Sequence, residues 1–85
     1  MSEHTGRIKK ALHTSLADHA HVPVYDEAMV HSDLKIDPMD LFDIISFVED
    51  EIGASLDADE ITSQLGDDYT VAQLHGAIRT AVSHA

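Results

Sequence analysis

Asp37, Asp40 and Asp43 recur every third residue, and Glu49, Asp50 and Glu51 follow in the same segment. Carboxylates at that density can transfer protons, hold a cation or meet a basic surface. Proton transfer has no support from pattern, because an acid pair can be drawn almost anywhere in so acidic a chain. The chain has no cysteine nucleophile, no G-x-S-x-G elbow and no phosphate-binding loop. Enzymatic activity is therefore not expected. A solvated helix face explains part of the row, since Asp37 and Asp40 would favour the positive end of a helix dipole. It does not explain the apolar Met39 and Phe42 set among the acids. The apolar stripe of that helix is already supplied by other residues, so these two are expected to be at least partly exposed.

Metal chemistry is a further possibility, because seven histidines are many for this length. His13, His19, His21 and His31 could approach one another near the end of a first helix. Zinc needs three or four ligands in fixed geometry, and no H-x-x-x-H helical pair is present. His19 and His21 stand too close together in a loop to be diagnostic, and His75 and His84 are less suggestive still. The expected reading is surface histidines and no metal site. Asp57-Ala58-Asp59-Glu60 opens like a calcium loop, but the glycine such a loop needs is Thr62 and its closing glutamate is Asp68. An EF-hand is rejected.

The residues that could act must be held by a small scaffold. The 85 residues suffice for one domain, spanning 1–85, with a thin core. No disulfide can assist it, since cysteine is absent. The formal charge of −11 comes from 16 acidic and 5 basic residues. It argues against nucleic-acid binding, which relies on lysine and arginine to release counterions, and favours a basic-surfaced protein partner met with salt-sensitive kinetics. Arg7, Lys9 and Lys10 cluster early while the middle of the chain is acidic. No apolar run approaches the roughly 18 residues of a membrane span, and Met1 to Lys10 lacks the apolar stretch of a signal peptide. A cytoplasmic monomer that does not engage membranes is expected.

Helical periodicity is the main structural signal. Ile8, Leu12 and Leu16 mark one face of a helix near 5–18, with Thr5 as its N-cap. Periodicity fails from His19 to Asp37, where Pro23, Val22, Val24 and Tyr25 predict a loop tied to the core, with a turn of helix near Asp26 to Val30. A connection of that length usually carries function or local structure. Asp37 as cap and Pro38 at the first helical position give the firmest start signal. Leu41, Ile44, Ile45, Val48 and Ile52 continue the stripe to a left-handed Gly53, predicting a helix over 38–52. A short helix capped by Asp57 runs to Leu65, a turn follows at Gly66-Asp67-Asp68, and Thr70 caps a last helix through Val71, Leu74, Ile78 and Val82. The fold class is all-α: a small bundle of three main helices plus one short one.

Asp33-Leu34-Lys35-Ile36-Asp37-Pro38-Met39-Asp40 resembles the acyl carrier protein motif D-L-G-x-D-S-L-D, and the match continues without a gap through Asp43, Ile44, Ile45, Val48, Glu49, Asp50, Glu51 and Ile52. Arg7 to Leu12, ending at Leu16, resembles the first helix of that family, and Thr70-Val71 resembles the opening of its last. The joint order and spacing cover nearly the whole chain, with a few extra residues around Leu65 to Tyr69. The resemblance implies an acyl-carrier-like bundle. It also implies a partner surface in which Asp37, Asp40, Asp43 and Glu49 meet partner arginines while Met39 and Phe42 touch the partner directly. Partners of that kind are synthases, ligases or transferases of biosynthesis.

The departure falls on the position that carries the family's chemistry. A serine hydroxyl there forms a phosphodiester with 4'-phosphopantetheine, whose thiol holds the cargo as a thioester. Pro38 has no hydroxyl, so no cofactor is expected at that position. Ser32 is an alternative attachment point, but aligning it there places Pro38 six residues inside a helix, at a cost of about 3 kcal/mol, and loses every downstream match. Ser46 lies deeper in the helix and is a poorer candidate. The expected function is a carrier-like interaction module that docks its acidic second helix on a basic partner without a phosphopantetheine arm. The alternative is a genuine acyl, aminoacyl or peptidyl carrier whose serine was replaced or whose arm is attached elsewhere.

Overall fold

The computed structural model describes residues 3–20 and 22–83, with side chains from residue 6 onward. His21 and His84 lie outside the described residues. Four helices follow in order: α1 (Glu3–His19), α2 (Pro38–Ile52), α3 (Ala58–Leu65) and α4 (Val71–Ser83). They form a small all-α bundle, with no strand among the described residues and only an isolated bridge between Met29 and Thr70.

Each end of α2 has a local chemical cause. The Asp37 carboxylate accepts from the Met39 N–H at 3.1 Å, satisfying one of the donors left free by helical geometry. Pro38 has no N–H to waste at the first position. Gly53 takes φ +70° and donates its N–H to the Glu49 carbonyl at 2.8 Å, a left-handed stop that a side chain would strain. Arg7 of α1 donates to the Glu51 carbonyl at 2.8 Å, so a cation sits at the negative end of the helix dipole.

The other helix starts follow the same logic. Asp57 accepts from the Glu60 N–H at 3.2 Å to open α3. Thr70 and Gln73 form a reciprocal box at the start of α4: the Gln73 N–H donates to Thr70 Oγ1 at 3.1 Å, and the Thr70 N–H donates to Gln73 Oε1 at 2.8 Å. The start of α1 differs from expectation. The helix begins at Glu3, so Thr5 lies inside it and is not its N-cap. Gly6 is too weak a breaker to prevent that extension.

The core forms where the stripes meet. Ile8, Leu12 and Leu16 of α1 pack with Leu41, Ile44, Ile45 and Val48 of α2 and with Val71, Leu74 and Ile78 of α4, all buried. Ile61 adds α3, and Val82 is only half-buried at the edge. Burial at about 25 cal/mol per Å² of apolar surface is the main stabilising term for these helices, since helical stability in proteins comes mostly from packing an amphipathic face.

The connection from α1 to α2 is folded without being helical. The expected turn of helix near Asp26 to Val30 is instead a set of hydrogen-bonded turns. Residues 26–30 bond to the start of α4: the Val30 N–H donates to the Tyr69 carbonyl (2.8 Å), the Val71 N–H to Ala28 (3.0 Å) and the Ala72 N–H to Asp26 (3.0 Å). Backbone groups that would have gone into a helix ladder are satisfied by a distant segment. Val30, Leu34 and Ile36 are buried by this arrangement, while Val22 and Tyr25 stay exposed.

Candidate functional site

The opening turns of α2 carry an exposed surface of mixed chemistry. Leu41, Ile44, Ile45 and Val48 fill the inward face, so helical periodicity turns Met39 and Phe42 outward. Met39 is 75% exposed and Phe42 44% exposed. Pro38 and Asp43 are exposed beside them, and Asp40 is half-buried. Large exposed apolar side chains on a domain of this size have a cost in water and mark contact surfaces when they lie together. Phe42 also borders a shallow groove formed with residues 55–59.

The carboxylates of this segment are not equivalent. Asp37 is engaged as the cap of α2. Asp40 and Asp43 accept no hydrogen bond and form no ion pair with any described residue. Each has a carboxylate oxygen near a ring nitrogen of His19, the last residue of α1: the three ligand atoms lie within 4.8 Å of one another. Glu49 behaves differently from the rest of the row. It is half-buried, and its carboxylate accepts from the Leu56 N–H at 2.5 Å, closing the loop after Gly53. That role belongs to the fold, so Glu49 separates from Asp40 and Asp43 as a contact residue. Sequence reasoning paired it with them because helix position does not show where a loop seven residues on will turn back.

Immediately before α2, Lys35 adopts φ +59°. A left-handed backbone at a residue with a Cβ costs roughly 1–2 kcal/mol, and the surrounding turn holds it there. His31 donates from Nδ1 to the Ile36 carbonyl at 2.7 Å, since a carbonyl can only accept. Its Nε2 then accepts from the Tyr69 hydroxyl at 2.9 Å. Asp68 accepts from the His31 N–H (3.0 Å), the Ser32 N–H (3.1 Å), the Tyr69 N–H (2.8 Å) and the Ser32 hydroxyl. The Ser32 hydroxyl bond, joined by the three main-chain donors and opposed by partial burial, lowers the Asp68 carboxyl to about 2. Burial, with the Asp68 charge beside it, pushes the Tyr69 phenol up to about 12. This knot anchors the segment leading into α2 and fixes the angle at which Met39 and Phe42 are presented.

Pro38 stands at the helix start with no hydroxyl and a tertiary ring nitrogen, so a phosphodiester-linked arm does not fit that position. Ser32 has its hydroxyl committed to Asp68, six residues before α2, and Ser46 is on the exposed side of the helix well beyond its first turn. Among the described residues no helix is long and apolar enough to cross a membrane. No family model matches the chain, no curated protein matches it and no solved structure matches its fold.

Proposed function

We propose that this protein is a carrier-like interaction module that docks the start of α2 on a basic surface of a partner enzyme and carries no phosphopantetheine arm. The exposure of Met39 and Phe42 beside Asp40 and Asp43, whose carboxylates have no partner among the described residues, carries the reading. In such a contact the carboxylates steer encounter and the apolar pair supplies the desolvated centre. Asp37 contributes field while capping the helix. The resemblance to acyl carrier proteins supplies the partner class: a synthase, ligase or transferase. The left-handed Lys35 adds support, because the motif it resembles has glycine at that place, where glycine carries no Cβ strain.

The test restores the missing nucleophile. Pro38→Ser puts a hydroxyl at the first turn of α2 with little change in stability. A broad-specificity phosphopantetheinyl transferase with coenzyme A should load Pro38→Ser, as an added arm in the intact mass, and leave the parent bare. Adding Asp40→Lys and Asp43→Lys to Pro38→Ser should abolish loading while the helical circular dichroism stays the same. A loaded parent would show that another serine is the attachment point and favour the genuine-carrier alternative. A folded Pro38→Ser that several transferases leave bare would sink the docking-surface assignment.

A further inference from the structure

We propose that His19, Asp40 and Asp43 form a binding site for a divalent transition-metal ion of the zinc class, bridging the end of α1 to the first turns of α2. The site shares Asp40 and Asp43 with the docking surface, but it requires no phosphopantetheine chemistry. Three observations converge on it. One ring nitrogen of His19 and one carboxylate oxygen from each aspartate lie within 4.8 Å of one another. The two aspartates are three apart on one helix face, so they are neighbours by construction, and neither carboxylate has a partner among the described residues. Bringing two like charges together, one of them half-buried, is unfavourable until a cation joins them.

His19 supplies the observation that separates this group from an ordinary acidic patch. Its Nδ1 lies 3.0 Å from the Ser15 carbonyl, which can only accept. Nδ1 therefore donates, which leaves Nε2 as the nitrogen that can bind a cation. Metal-binding imidazoles are oriented in this way, the second nitrogen donating to a backbone carbonyl that fixes tautomer and ring angle. Ser15 itself is buried at 3% exposure, so the orienting carbonyl belongs to a rigid turn of α1.

The donor set names the class of ion. One imidazole and two carboxylates suit zinc, cobalt or nickel, whereas calcium and magnesium prefer oxygen alone. Tetrahedral ligands on bonds of about 2.0 Å lie about 3.3 Å apart. Rotations of the half-buried Asp40 and exposed Asp43 side chains would close the remaining distance without moving either helix. Three protein ligands at the surface leave further positions to water, which fits a site that binds reversibly.

Calorimetric titration of the full chain with zinc chloride, and cobalt chloride titration followed in the visible spectrum, should each give one ion per chain. Magnesium in large excess should not displace the zinc. His19→Ala and Asp43→Asn should each weaken zinc binding at least about tenfold, the scale seen when even a supporting contact of a metal ligand is lost. His13→Ala, on a different face of α1, should leave affinity unchanged. Asp43 is exposed and packs against nothing in the core, so its variant remains informative if His19→Ala frays α1. Undiminished zinc binding by folded Asp43→Asn or His19→Ala would overturn the site, as would a parent that binds no zinc at millimolar concentration.

Discussion

Asp68 accepts hydrogen bonds from three main-chain N–H groups and the Ser32 hydroxyl, whereas Asp40 and Asp43 accept none from any described residue. The difference separates a carboxylate that holds the fold from carboxylates left free for something outside it. Asp68 ties together segments 37 residues apart. Asp40 and Asp43 sit on a helix whose packing is complete without them. Composition makes the three aspartates indistinguishable, and only their partners tell them apart.

That contrast can be broken most directly at Asp68. Asp68→Ala removes the shared acceptor from four donors and should destabilise the protein by about 2–3 kcal/mol, read from urea unfolding. If stability barely changes, water replaces the carboxylate and the knot is not a structural anchor. The same residue predicts an acid sensitivity. Its folded pKa of about 2 lies below the ordinary 3.8, so the stabilisation is present above about pH 4 and is lost as pH falls from 4 through 2. In Asp68→Ala the fall in unfolding free energy across that window should be shallower than in the parent. Equal slopes would place the acid sensitivity on other carboxylates.

Lys35→Gly tests the turn between the two regions on a smaller scale. Relief of left-handed strain, reduced by the greater chain entropy of glycine, should stabilise the protein by about 0.5–1 kcal/mol. A loss of stability would mean that the lysine side chain makes up for its backbone. Asp43→Asn should have the smallest effect, within about 0.5 kcal/mol, leaning towards stabilisation because it removes one charge from a net of −11. A large destabilisation there would erase the distinction from Asp68.

Local chemistry was legible in the sequence and long-range chemistry was not. The limits of α2 follow from Asp37, Pro38 and Gly53, each of which acts within a few residues of itself. The outward position of Met39 and Phe42 follows from the period of the inward stripe. The segment before α2 was opaque because its hydrogen bonds run to Asp68, Tyr69 and the first turn of α4, and no local spacing encodes them. The early start of α1 was hidden by giving Thr5 a capping role that the uninterrupted helix does not need. His19 was weighed only with His13, His21 and His31, because the approach of Asp40 and Asp43 from α2 is a tertiary contact that no local spacing encodes.

The bridge between residues 26–30 and the start of α4 also has a bearing on synthesis. A ribosome releases α1, the connecting segment and α2 well before Tyr69, Val71 and Ala72 emerge, and until then the main-chain groups of Asp26, Ala28 and Val30 lack the partners that set their path. The apolar side chains of α2 are made early, but the frame that aims them is completed only by the last third of the described chain. Met39 and Phe42 therefore reach their final setting only once the start of α4 has left the exit tunnel.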